Sequence, residues 1–199
     1  MTSCMACPAG SSCGLAGSTS SSPCSAGKFS AASSASVCTS CLVGTFQANL
    51  GQLSCIACSG GTYQASTAQS SCVICPAGYY CAATGLSARV ACDAGAYSGA
   101  SATSCPACAV GNFQALTAQL SCVPCPLSSI CATAGLSTFV GCSAGNYCAS
   151  TGLSAVTGAC APGTFSLLAS ILCVSCPSGG SCATFGLSTT CVAGTYSAS

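Results

Sequence analysis

CDAGAYSGASATSCPAC, residues 92–108, runs directly into CAVGNFQALTAQLSCVPC, residues 108–125, and how these two stretches are read decides the fold. In each, a cysteine is followed three residues later by glycine and two residues after that by an aromatic. A second cysteine then arrives beyond a run of Ser, Thr, Ala and Gln. Starts of the same kind fall at Cys7, Cys24, Cys41, Cys58, Cys75, Cys92, Cys108, Cys125, Cys142, Cys160, Cys176 and Cys191, spaced 15 to 18 residues apart and mostly 17. Such a period across a whole chain identifies tandem repeats before any secondary structure is assigned.

The glycine recurs at Gly10, Gly27, Gly44, Gly61, Gly78, Gly95, Gly111, Gly145, Gly163, Gly179 and Gly194, and Ser128 departs from the pattern. The aromatic recurs at Phe29, Phe46, Tyr63, Tyr80, Tyr97, Phe113, Tyr147, Phe165 and Tyr196, with Ser12, Ile130 and Ser181 as exceptions. Glycine supplies a positive φ in a tight turn. The aromatic is expected to start a short strand and to lay its ring over the neighbouring disulfide, a packing role.

Composition sets the class. The 199 residues include 24 cysteines, no histidine, two basic residues (Lys28 and Arg89) and one acidic residue (Asp93). Cysteine at this density marks a secreted disulfide scaffold, in which covalent bridges replace a core that short segments cannot build, and it implies an oxidising compartment. Two basic residues are too few to neutralise phosphates, so nucleic acid is excluded as a partner, and no polybasic patch serves a membrane surface. Ser, Thr, Gly or Pro interrupts every apolar run well before a membrane span is reached, so no membrane insertion is expected. Met1 is followed by TSCMACPAGSSC, without a basic n-region or an apolar h-region, so the chain is read as a mature product or an excerpt.

Two repeat types differ in where the second cysteine falls. In the long-loop type it lies 13 or 14 residues on: Cys24 and Cys38, Cys41 and Cys55, Cys58 and Cys72, Cys92 and Cys105, Cys108 and Cys122, Cys160 and Cys173. In the short-loop type it lies 6 on: Cys7 and Cys13, Cys75 and Cys81, Cys125 and Cys131, Cys142 and Cys148, Cys176 and Cys182. Four short-loop repeats then read G-L-S, at Gly85, Gly135, Gly152 and Gly186.

C-x-x-G-x-[FY]-[SQ], then about seven residues, then S-C-x-x-C-P, resembles the ephrin-receptor-like cysteine-rich repeat, a relative of tumour-necrosis-factor-receptor modules. The resemblance covers nearly the whole chain. It implies a disulfide ladder in an elongated ectodomain and no active site. The near-absence of charge departs from receptor examples, whose ligand faces can use ion pairs.

The recurring C-x-x-C pairs admit other readings. A redox pair wants a helix N-terminus in a βαβ setting to lower a thiol pKa, and nothing here is helical in period. Zinc wants four ligands at tetrahedral spacing, which single cysteines between the pairs do not supply, and calcium wants carboxylates, of which Asp93 is alone. Metal storage on free thiols stays as an alternative to disulfides; no cofactor and no metal are expected. For connectivity, bridges within each repeat compete with a register shifted by one, in which each C-x-x-C closes on itself and Cys81 joins Cys92. The first is favoured because C-x-x-C bridges are tight and easily reduced. It leaves over Cys4 and Cys191, which then mark continuation into an adjoining repeat.

The surface has no N-x-S/T sequon, and O-linked glycans on runs such as STSSS, residues 18–22, fit the composition. Gln47, Gln64 and Gln114 follow the aromatic, and YQASTAQSSCVICP and FQALTAQLSCVPCP stand fifty residues apart, three basic periods. No base or nucleophile is partnered, so no enzyme is expected. The expectation is therefore an all-β, disulfide-rich, solenoid-like elongated rod of short hairpins and turns, about 17 residues per repeat. Residues 1–199 read as one continuous array of about twelve repeats, incomplete at both ends, with no separate domain. Its expected role is extracellular or at the cell surface, as the repeating element of a filament or stalk whose partner is itself, head to tail or as a homo-oligomer. A receptor-like segment presenting a ligand-binding surface is the alternative.

Overall fold

The computed structural model describes residues 5–14, 17–177, 180–182 and 189–190. Cys4, Cys191, Gly179, Gly186, Gly194 and Tyr196 lie outside the described residues. No helix occurs among those described, and none is therefore long and apolar enough to cross a membrane.

The repeat beginning at Cys41 shows the construction. Thr45 donates its backbone N–H (3.0 Å) and its Oγ1 hydroxyl (2.8 Å) to the Leu42 carbonyl, closing a turn in which Gly44 takes φ 78°. Strand Thr45–Phe46 leaves this turn and pairs antiparallel with Ile56–Ala57, Phe46 opposite Ile56. An aromatic facing a β-branched residue is a favourable cross-strand pair, and two-residue strands are all that fits between the turn glycine and the cysteines. Tyr63 and Val73, Tyr80 and Val90, and Phe113 and Val123 pair in the same way. The aromatic therefore ends its strand rather than starting it, because the turn residue before it takes the first pairing position. In the repeat from Cys92 only the bridge between Ala96 and Ala107 forms. There Tyr97 donates to the carbonyl of Pro106, which has no N–H to return.

A hairpin of two residues a side leaves most backbone groups unpaired, and the next repeat takes them up. From the repeat at Cys41, Gly44 N–H reaches the Gln64 carbonyl (2.7 Å) and Gln47 N–H reaches Gln69 (3.1 Å), while Cys41 accepts from Ala68 N–H (2.8 Å). The repeat after that comes close as well: a Cβ on Gly44 would stand 2.1 Å from the Gly85 carbonyl oxygen. Glycine at this position thus meets two demands, a positive φ and the passage of another backbone.

Contacts gather the chain into two compact units, residues 1–91 with 98–105, and residues 92–97 with 106–199. In the first, the glycine bond recurs from Gly10 to Ser30, Gly27 to Gln47, Gly61 to Cys81 and Gly78 to Ser98, at 2.7 to 2.9 Å. In the second it recurs from Gly95 to Gln114, Gly111 to Cys131 and Gly145 to Ser166. Ser128, the one departure from glycine, keeps φ at 65° and donates to Cys148 at 3.3 Å. The fold is all-β and disulfide-rich, built of antiparallel hairpins at a period of about 17 residues.

Among the described residues, every buried apolar side chain is a cysteine. Cys41, Cys58, Cys75, Cys81, Cys92, Cys108, Cys125, Cys131, Cys142 and Cys148 are fully buried, whereas Leu42, Leu50, Ile74, Leu116 and Leu168 lie on the surface. Repeats this short leave no room for an aliphatic core, and covalent bridges occupy its place.

Candidate functional site

Three places in a repeat, counted from its first cysteine as zero, carry the chemistry: positions 0, 6 and 14, the last shortened to 13 in the repeats from Cys92 and Cys160. All described cysteines are disulfide-bonded. The long-loop bridges join Cys24 to Cys38, Cys41 to Cys55, Cys58 to Cys72, Cys108 to Cys122 and Cys160 to Cys173. The short-loop bridges join Cys7 to Cys13, Cys75 to Cys81, Cys125 to Cys131, Cys142 to Cys148 and Cys176 to Cys182. Cys92 and Cys105 are likewise bonded. The shifted register is not adopted: Cys81 bonds Cys75, and the members of C-x-x-C pairs such as Cys38 and Cys41 bond away from each other. No group of three or more metal-ligating side chains occurs among the described residues.

Position 6 joins the two repeat types. Short-loop repeats place there the second cysteine, Cys81, Cys131 or Cys148, fully buried. Long-loop repeats place there Ser30, Gln47, Gln64, Ser98, Gln114 or Ser166, every one a buried polar residue. Gln64 donates Nε2 to the Ser71 carbonyl (2.8 Å) and accepts the Ser66 N–H on Oε1 (3.0 Å). Gln47 and Gln114 do the same with Ser54 and Asn49, and with Ser121 and Leu116. The amide thus bonds the loop to itself. A buried amide satisfied at both ends costs little, whereas one left unpaired would cost about 1–3 kcal/mol. Ser98 and Ser166 instead donate Oγ to the Tyr79 and Asn146 carbonyls of the preceding repeat.

Position 14 is the mirror case. Where the second cysteine has moved to position 6, this place is open to another side chain, and Arg89 and Phe139 stand there. Each reaches back to the aromatic 26 residues before it. Arg89 donates Nη1 to the Tyr63 hydroxyl (2.8 Å) and lies 4.5 Å from the Tyr79 ring centroid. Phe139 packs edge-on against Phe113, centroids 5.1 Å apart. The two differ in charge and share one task, which the fifty-residue superperiod of the sequence encodes.

A second left-handed residue escaped sequence reading. Position 9 or 10 has positive φ at glycine in Gly51, Gly85, Gly135 and Gly152, but also at Ser34, Ala68, Ser101, Ala118 and Ala169. The G-L-S motif was its only visible trace. The loops of both types therefore follow one backbone path from strand to strand.

Set beside known proteins, residues 27–68 and 95–142 match the family described as tyrosine-protein kinase ephrin type A/B receptor-like. The similarity lies in these two segments. Each match contains the turn glycine and the strand aromatic, with the position 6 amides of Gln47 and Gln64 in the first and of Gln114 in the second. The ephrin-receptor-like match is to an ectodomain repeat of a receptor and not to a catalytic domain. Together with the disulfide density, the match in these two segments points to an extracellular or cell-surface location. No curated protein matches the sequence.

Proposed function

We propose that the chain is a structural extracellular protein, the repeating element of a disulfide-stabilised filament or cell-surface stalk. The supporting observation is the register of backbone hydrogen bonds. The repeats that start at Cys7 through Cys142 each give their unpaired turn N–H to the next, as Gly44 does to Gln64 and Gly111 to Cys131, so a repeat is a unit of propagation and not a self-sufficient domain. An array of this kind extends by addition of repeats, through the chain or through another copy, and its partner is then itself. Serine and threonine on the outer loops are the sites for O-linked sugar, which would solubilise a surface almost without ions.

The family match favours a second reading, a receptor-like ectodomain segment presenting a ligand surface. Electron microscopy of native material separates the two. Filaments or long stalks with an axial repeat set by this module support the structural role. Short, dispersed particles that retain a soluble ligand through purification reject it in favour of the receptor-like one.

A further inference from the structure

The two kinds of bridge differ in what they offer to an incoming thiol. In the interior short-loop bridges, Cys75–Cys81, Cys125–Cys131 and Cys142–Cys148, both cysteines are fully buried. In the long-loop bridges that start at Cys24, Cys41, Cys58 and Cys108 the first cysteine is buried and the second, Cys38, Cys55, Cys72 or Cys122, is partly exposed, whereas in the bridge from Cys160 to Cys173 both are partly exposed. Thiol–disulfide exchange needs a thiolate to approach one sulfur along the bond that breaks, so access decides both whether a bridge reacts and at which atom.

We propose that Cys38, Cys55, Cys72 and Cys122 are thiol-exchange sites, each taking an external thiolate at its sulfur, while the interior short-loop bridges are closed to it. At Cys55 the thiolate attacks Sγ, a mixed disulfide forms there, and the bond to Cys41 breaks. The electron pair leaves on the Cys41 sulfur, which takes a proton from solvent. One disulfide is exchanged for another, with no net oxidation or reduction. A second thiolate attacking the mixed disulfide at its outer sulfur would free Cys55, oxidising two external thiols to their disulfide.

The opening is local. Besides the Cys41–Cys55 bridge, Gln47 donates to Ser54 and accepts from Asn49, and Phe46 pairs with Ile56. The loop therefore stays on its path while its outer sulfur is joined to another molecule. Such a site forms covalent links to a thiol-bearing partner without unfolding the repeat.

The test is exposure of the oxidised full chain to glutathione at mildly alkaline pH, acid quenching, alkylation and peptide mapping. Glutathione adducts are expected on Cys38, Cys55, Cys72 and Cys122 at about tenfold or greater excess over Cys24, Cys41, Cys58 and Cys108, with the three interior short-loop bridges intact. The same treatment in concentrated guanidinium should erase the preference, since it arises from the fold. Equal adducts on both members of the long-loop pairs, or opening of Cys75–Cys81 and Cys125–Cys131 at the same rate as the rest, would overturn the proposal. So would a preference that survives denaturation.

Discussion

Gly95 is where one residue type meets two independent constraints. Its φ is 84°, and a Cβ there would sit 2.1 Å from the carbonyl oxygen of Gly135. Gly95→Val should lower the stability of its repeat by more than about 2 kcal/mol, strain and clash together, while Ala94→Val should have a small effect. Chemical-denaturation midpoints and oxidative refolding yields of the two variants check this; equal losses would show that neither constraint operates. Ala68 poses the opposite case, an alanine at φ 57°. Replacing it with glycine removes about 1–2 kcal/mol of left-handed strain and adds back about 0.5–1 kcal/mol of unfolded-chain entropy. Ala68→Gly is therefore expected to raise the denaturation midpoint slightly, and a fall would mean that the alanine side chain makes contacts worth more than its strain.

At the scale of one repeat, positions 6 and 14 act as alternatives. The hairpin and the left-handed loop residue are common to both types, so the site of the second cysteine is interchangeable in principle. The double variant Gln64→Cys with Cys72→Ser should bridge Cys58 to the new cysteine, and mapping of nonreduced peptides reads the result directly. A free thiol at both places would show that the two loop paths are not equivalent. The converse single change, Gln114→Ala, leaves the backbone N–H of Leu116 and the carbonyl of Ser121 without their amide partner. It should cost about 1–3 kcal/mol, and amide hydrogen exchange should rise in residues 115–121 first. The arginine at position 14 contributes less: Arg89→Ala removes an exposed cation–π contact worth about 0.5–1 kcal/mol.

For the whole molecule, charge has almost no part in stability. With no histidine, one acidic and two basic side chains, few protons can be exchanged on unfolding. Stability follows pH only through the difference in protons bound by the folded and unfolded states. The denaturation midpoint of the oxidised chain is thus expected to stay nearly constant between pH 4 and 7, about the range in which thiolate chemistry is slow. A marked slope there would mean that the folded and unfolded states bind different numbers of protons after all.

By itself the sequence determined the period, the disulfide class, the turn glycine and the hairpin, because each rests on an interaction within about 17 residues of chain. Local geometry demands a residue type, and the residue type is visible as a letter at a fixed spacing. Cys58 and Cys72 bracket one loop, and Gly61 and Tyr63 mark its turn and strand, whatever the neighbours do. Only the tertiary structure decided what depends on stacking. That Arg89 and Phe139 fill the position left by a cysteine, and that the Gly85 carbonyl passes over Gly44, both follow from the approach of other repeats. Nor could the left-handed backbone of Ala68 and Ala118 be read from alanine, which carries no mark of it. There the conformation is imposed from outside the residue, by the hydrogen bonds from Ala68 N–H to Cys41 and from Ala118 N–H to Cys92. Those contacts outweigh the residue's own preference, and a preference that is overruled leaves no signature in the sequence.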